Sequence, residues 1–276
     1  MRSSGEILEK PVDLRLAIVG AGGMARVLAR IFRGRVSEIA IISRSPEKAR
    51  RLSRMLGVSC STMESIGEYD AVILTTPSQY LAEAVERIAP HLREGALLMD
   101  ISSVKLGVVE KVLSLIPSGV EYLSIHPLFG PAARKLAGNR VILIPVRGSS
   151  RIETIKMIFE DAGLRVAFST PEKHDEIMAY VQVAHHLSYL ALALTLHGAG
   201  PDILEDYATR SLRKTMSMLK MLHGNLRVIR EIAESNRYAG RAAEALKTSI
   251  DELARGGDDV WRRVEEALRI LPAKAA

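Results

Sequence analysis

Along the first 170 residues the apolar positions fall into short runs separated by stretches of helical period. Arg15 to Val19, Glu38 to Ser43, Asp70 to Pro77, Ala96 to Met99, Val120 to Ile125, Val141 to Pro145 and Leu164 to Phe168 read as strands. Helices fill the intervals: Met24 to Phe32, one that Glu47 enters, Gln79 to His91, one after Lys105, and Arg151 to Ala162. Strands alternating with helices predict a parallel, doubly wound sheet. From Pro171 the alternation stops. A long helix is expected from Pro171 to about Leu196, ended by Gly198, Gly200 and Pro201. It is mostly apolar (Ile177, Met178, Val181, Ala184, Leu187, Leu190, Ala191, Leu194), yet Gln182, His186 and Tyr189 fall at i, i+4 and i+7 on one face. A polar stripe of that kind must meet water, a partner or a ligand cavity. His185 points a quarter-turn away. Beyond Asp202 every segment reads helical: Leu204 to Leu222, Leu226 to Asn236, Gly240 to Leu253 and Asp258 to Leu271. The expected fold is thus α/β over residues 12–170, followed by an all-helical domain over 171–276. So much apolar surface on four or five helices points to dimerisation.

Composition narrows this little. The chain has 276 residues, 47% apolar and 25% charged, enough for one large or two ordinary globular domains. The net charge of +6 is spread out, with no run of five or more like charges, so a basic nucleic-acid arm is not indicated. Scattered arginines are left to face an anionic small molecule or solvent. Cys60 is the single cysteine, which rules out an intrachain disulfide and fits a reducing compartment. The opening MRSSGEILEKPVD has no apolar core for a signal peptide, and no uninterrupted apolar run reaches membrane-spanning length. The expectation is a soluble, cytoplasmic protein with neither membrane, nucleic acid nor metal as a partner.

The chemistry begins after the first strand, at Gly20-Ala21-Gly22-Gly23-Met24-Ala25, a GxGxxA opening a helix. Gly20 serves a tight turn, Gly22 lets backbone approach a pyrophosphate, and small Ala25 lets the helix pack close to the strand. The helix start, through Gly23 and Met24, aims free N–H groups at phosphate. At the end of the second strand, where an NAD site usually carries Asp or Glu, the chain reads Ser43-Arg44-Ser45. Arg44 is suited to stack on adenine and pair with a 2′-phosphate, with Ser43 and Ser45 as donors. NADP is therefore favoured and NAD remains possible. Thr76 and Pro77, ending another strand, line the nicotinamide side.

The stretch Asp100–Pro131 runs from one apolar strand through Ser102-Ser103-Val104-Lys105 and a helix to a second strand ending in His126-Pro127. Two parallel strands ending together bring Ser103, Lys105 and His126 to the carboxyl rim, where open α/β sheets bind ligands. A histidine there exchanges protons near neutrality. On residue type alone it serves equally as a strand cap.

Asp-x-x-Ser-Val-Lys (Asp100 to Lys105), His-Pro-x-Phe-Gly-Pro (His126 to Pro131), the GxGxxA, His174-Asp175 and His186 together resemble the prephenate dehydrogenase family over residues 12 to 270. The resemblance implies a Rossmann domain followed by a helical substrate-binding domain that forms a homodimer. It implies oxidative decarboxylation of prephenate to 4-hydroxyphenylpyruvate in tyrosine biosynthesis. It assigns His126 as the catalytic imidazole at the substrate hydroxyl, Ser103 as its hydrogen-bond partner near the cofactor, Arg237 as a carboxylate host and His186 as a substrate-facing histidine. Where some relatives carry a second histidine one turn after His186, this chain has Tyr189; Arg213 and Lys214 are weaker candidates for the side-chain carboxylate. Gln182 joins the substrate group through its shared face. The lengths before residue 12 and after 270 suggest a monofunctional dehydrogenase, without fused chorismate mutase or regulatory domain. The alternatives are an arogenate dehydrogenase, or an NADP-binding protein that kept the fold without the chemistry.

Overall fold

The strands lie where the apolar runs predict because most are buried on both faces. In the computed structural model, which describes residues 10–148, 150–200 and 206–270, alternate residues of the first strand enter different cores. Leu16 and Ile18 pack with Ile31, Phe32 and Phe159. Ala17 and Val19 pack with Val72, Leu74, Val85 and Ile88. Such a strand shows no polar alternation. The N-terminal leader, Pro201, Asp202, Leu204 and the stretch from Leu271 to Ala276 lie outside the described residues.

The chain divides into two units, Met1–Pro171 and Glu172–Ala276. In the first, β1 (Val12–Val19), β2 (Val36–Ile42), β3 (Ser59–Cys60), β4 (Ala71–Leu74), β5 (Leu97–Asp100), β6 (Glu121–Pro127), β7 (Arg140–Arg147) and β8 (Arg165–Phe168) form one eight-stranded sheet ordered β3-β2-β1-β4-β5-β6-β7-β8. Helices α1 (Gly23–Phe32), α2 (Pro46–Leu56), α3 (Leu81–Ile88), α4 (Leu106–Leu115) and α5 (Ile152–Asp161) alternate with the strands. The strand order reverses at β1 and β4, so their carboxyl ends open a crevice for ligands. Strands β1 to β6 are parallel as expected, but β7 runs antiparallel to β6, with β8 parallel to β7. The link from Pro127 to Arg140 carries no helix, and a parallel return needs a crossover of a dozen or more residues, usually helical. Two-residue β3, exposed on its edge, is too short to register as a pattern.

In the second unit α6 (Pro171–Met178) runs into a π-helical segment, Ala179–Ala184, and then α7 (His185–Ala199). The expected regular helix is thus interrupted by a wide turn, of the kind frequently found at functional sites. Helices α8 (Arg210–His223), α9 (Leu226–Ser235), α10 (Ala239–Arg255) and α11 (Asp258–Arg269) follow. The composite helix Pro171–Ala199 is, at 29 residues, long and apolar enough to cross a membrane by length and composition, although Gln182, His185, His186 and Ser188 interrupt its apolar run. Within the single chain α7 buries none of its residues, and Ile177, Val181 and Leu194 are exposed.

The ends of β5 and β6 are joined by a buried polar cluster. Asp100, Lys105 and Ser124 are fully inaccessible and Tyr122 almost so. Lys105 Nζ lies 3.4 Å from Asp100 Oδ1 and donates to the Ile125 carbonyl at 2.8 Å. Asp100 also accepts from the Ser102 amide at 2.8 Å, the Tyr122 hydroxyl at 2.7 Å, and the hydroxyls of Ser102 and Ser124. Burial pushes the Asp100 carboxyl up, but the Lys105 charge and hydrogen bonds from Ser102, Ser124 and Tyr122 outweigh it and hold the group below the usual carboxylate range. Burial, then the Asp100 charge, pushes the Tyr122 phenol well up.

Removing one partner of such a pair strands a buried charge. Lys105→Met is expected to lower unfolding free energy by about 3–5 kcal/mol in urea titrations, with Asp100→Asn/Lys105→Met regaining part of the loss. The Asp100 contribution is complete above the ordinary carboxyl pKa, about 3.9, and is lost as pH falls through the lower folded value. The difference between wild type and Lys105→Met should therefore narrow in acid; a constant difference would contradict this account.

Candidate active site

The glycine loop is built for close approach. Gly20 adopts φ +127, and a Cβ there would meet Thr75 Oγ1 at 2.1 Å, so only glycine fits. Thr75 holds the position by donating from its amide and hydroxyl to the Val19 carbonyl, at 2.9 and 3.0 Å. Gly22 precedes α1 with no side-chain cap, and a Cβ there would meet nothing within 4 Å. The first-turn amides of α1, from Gly23, Met24 and Ala25, are therefore left to a ligand. Ala25 is fully buried under the helix. Thr76 Oγ1, beside Pro77 at the end of β4, is buried without a hydrogen-bond partner. Open space at Gly22, uncapped amides and an orphaned hydroxyl fit a dinucleotide.

At the end of β2, Ser43 Oγ accepts from the Ser45 amide at 3.2 Å, and Ser45 caps α2 by accepting from the Lys48 amide at 3.5 Å. Both hydroxyl hydrogens stay available for donation. Arg44 is exposed, stacks over the Tyr80 ring at 5.4 Å, and donates to both Glu83 oxygens at 3.3 and 3.4 Å. Sequence reading missed Tyr80 and Glu83, which lie on the far side of β1 in the sheet.

His126 is buried near the end of β6, two residues beyond the Ser124 that pairs with Asp100 of β5. Ser102 turns inward to Asp100, while the neighbouring Ser103 stays half-buried. Downstream of His126, Pro131 reaches the glycine loop: a Cβ on Gly23 would meet Pro131 Cβ at 2.5 Å. Two motifs read separately from the sequence are thus in van der Waals contact. Lys105, whose role the sequence left open, is turned fully into the Asp100 cluster.

In the helical unit, Gln182 lies in the π segment and His186 in the first turn of α7; Gln182 Oε1 and His186 Nδ1 are buried without hydrogen-bond partners. Burial, then the neighbouring His185, lowers the His186 pKa below the ordinary imidazole value. Tyr189 packs edge-on against exposed His185, with ring centroids 5.3 Å apart. The π segment packs on both α9 and α10, and Arg237 occupies the exposed corner between those helices. That corner is pinned by buried Asn236, which donates to the Asp175 carbonyl at 2.9 Å and accepts from the Tyr238 amide at 2.8 Å. Asp175 in turn pairs with His174 Nδ1 at 2.8 Å in a fully buried contact. Arg213 and Lys214 are exposed on α8. Among the described residues no cluster of three or more His, Cys, Asp or Glu side chains is arranged to hold a metal.

Comparison with known proteins matches each unit. Residues 25–168 match the family described as prephenate dehydrogenase, nucleotide-binding domain, and residues 170–264 match prephenate dehydrogenase, dimerization domain. The chain is 31% identical over 71% of its length to a probable arogenate/prephenate dehydrogenase of Methanocaldococcus jannaschii, spanning 46% of that relative. It is 30% identical over 74% of its length to a 4-amino-4-deoxyprephenate dehydrogenase of Streptomyces pristinaespiralis, spanning 69% of it. Its fold resembles A. aeolicus prephenate dehydrogenase, solved with hydroxyphenyl propionate and NAD+, with a TM-score of 0.79 at 21% identity over 93% of this chain and 96% of that one. A nucleotide-binding sheet domain with the glycine cradle of a dinucleotide site, followed by a helical dimerization domain, makes this chain a member of the prephenate dehydrogenase family.

Proposed function

We propose that the chain catalyses oxidative decarboxylation of prephenate to 4-hydroxyphenylpyruvate, with NADP favoured over NAD. The observation that carries this reading is the packing of Pro131 on Gly23, which ties the segment led by His126 to the dinucleotide loop. The dinucleotide, when bound, accepts the hydride. Gly20, Gly22, Gly23, Met24 and Ala25 cradle its pyrophosphate, Thr76 and Pro77 flank the nicotinamide, and Ser43, Arg44 and Ser45 receive the 2′-phosphate. His126 accepts the proton of the substrate 4-hydroxyl as C4 is oxidised; the ring carboxylate leaves as CO₂, driven by aromatisation. Ser103 orients that imidazole. A positioned base contributes about 10²–10⁴-fold.

Arg237, His186, Gln182 and Tyr189 are assigned to the substrate. The partnerless atoms of Gln182 and His186 support this, because a buried polar atom without a partner costs about 1–3 kcal/mol until a ligand meets it. Prephenate is preferred to arogenate because nearby carboxylates are engaged: Asp175 with His174, and Glu176 with Lys173 and Arg241. A homodimer is the proposed assembly, covering the exposed apolar residues of α6 and α7.

His126→Asn is expected to cut kcat by about 10²–10⁴-fold while leaving the NADP dissociation constant unchanged. Turnover near wild type would remove the assigned role and favour a binding protein. Arg237→Ala should raise KM for prephenate roughly 10- to 100-fold with a smaller change in kcat; an unaltered KM moves the carboxylate host elsewhere. The depressed pKa leaves His186 neutral in the free protein at pH 7, so an arriving carboxylate should draw a proton onto it. Calorimetry of prephenate binding to His126→Asn, in buffers of different ionisation enthalpy, should show proton uptake that is lost in His126→Asn/His186→Asn.

A further inference from the structure

The end of β2 lacks the carboxylate that favours NAD, yet the fold brings one to the same corner from elsewhere. Glu83, in the first turn of α3, holds Arg44 through both oxygens at 3.3 and 3.4 Å, and Arg87 Nε approaches the same carboxylate at 3.8 Å. Arg44 meanwhile stacks on Tyr80 at 5.4 Å. Arg44 follows β2, whereas Tyr80 and Glu83 follow β4, and β1 lies between those strands. The bridge therefore spans the crevice mouth above the glycine loop. Its charges are half-exposed, 54% for Arg44 and 47% for Glu83, so it opens at little cost.

We propose that Glu83 sets the cofactor preference by competing with the 2′-phosphate for Arg44. The proposal rests on the reading of Arg44 as the 2′-phosphate host. With Glu83 present, an incoming 2′-phosphate meets a guanidinium whose Nη1 is already held and whose charge is already partnered. NAD brings no group that needs Arg44 released. Glu83 thus weakens NADP binding while leaving NAD binding alone, and keeps both cofactors usable by a chain whose β2 terminus alone favours NADP. Arg87 is the second cation to which Glu83 turns when Arg44 leaves it.

The test is isothermal titration of the full chain with NADP+ and with NAD+, which reads binding apart from turnover. Glu83→Gln should tighten NADP+ by about fivefold and leave NAD+ unchanged, with the gain shrinking at high salt as the exposed pair is screened. In the Arg44→Ala background the Glu83→Gln change should have no effect on NADP+, because Glu83 acts through Arg44. Unchanged NADP+ binding in Glu83→Gln, or equal tightening of both cofactors, overturns the proposal. Arg44→Ala separates the two failures. Selective loss of NADP+ there with a silent Glu83→Gln leaves the 2′-phosphate reading standing and removes only the competition. Equal effects of Arg44→Ala on both cofactors remove both.

Discussion

The rim chemistry depends on one ion pair that water does not reach. Asp100 and Lys105 are fully buried, and a buried pair of this kind contributes little stability over apolar residues of the same volume. What it supplies is placement. Lys105 bonds the carbonyl of Ile125, the residue before His126, while Asp100 collects Ser102, the residue before Ser103, together with Tyr122 and Ser124 of β6. Two of these contacts, at Ile125 and Ser102, stop one residue short of a proposed catalytic group. Fully satisfied polar networks in a dry interior are stiff, because any displacement strands a charge.

That stiffness extends outward through contacts without side-chain freedom. Pro131 fills the space where Gly23 would carry a side chain, and Thr75 fills the space at Gly20. The loops after β1, β4 and β6 are thereby locked to one another through backbone, the Thr75 hydroxyl and a proline ring. The Arg44 corner is built on the opposite principle: exposed side chains, stacking and a solvent-screened ion pair. Such a division suits a dehydrogenase, in which the reacting carbon needs fixed distances. The Arg44 corner, the proposed adenosine end, requires only enough affinity to hold the cofactor, and there charge can be tuned at little structural cost.

How far the sequence spoke follows from the same physics. Strands buried on both faces announce themselves as apolar runs, and glycines at required positive φ or close approach announce a turn, so β1 and the GxGxxA loop were legible. Direction was not: the apolar run of β7 reads the same in either sense, and only the helix-free link from β6 signalled the reversal. Tyr122 and Ser124 lay inside an apolar run and looked like filler, although Asp100 depends on both. Glu83 stands 39 residues from Arg44, a pairing no local pattern encodes. The π turn differs from a regular helix by one residue of hydrogen-bond spacing, which a 3.6-residue period cannot resolve.

The helical unit inverts the usual amphipathic arrangement. On the composite helix the apolar Ile177, Val181 and Leu194 face outward, whereas polar atoms of Gln182 and His186 face inward without partners. A single folded chain has no reason to tolerate both, since each side loses free energy against the ordinary arrangement. The proposed assembly and substrate assignment account for both defects together: a second copy over the apolar residues, and a polar substrate at the inward atoms. The π segment fits that role, because it carries Gln182 while packing on both helices that flank Arg237. A regular helix would keep a 3.6-residue rotation through this stretch, whereas the wider turn offsets the faces of the helix on either side of it without a break in the chain.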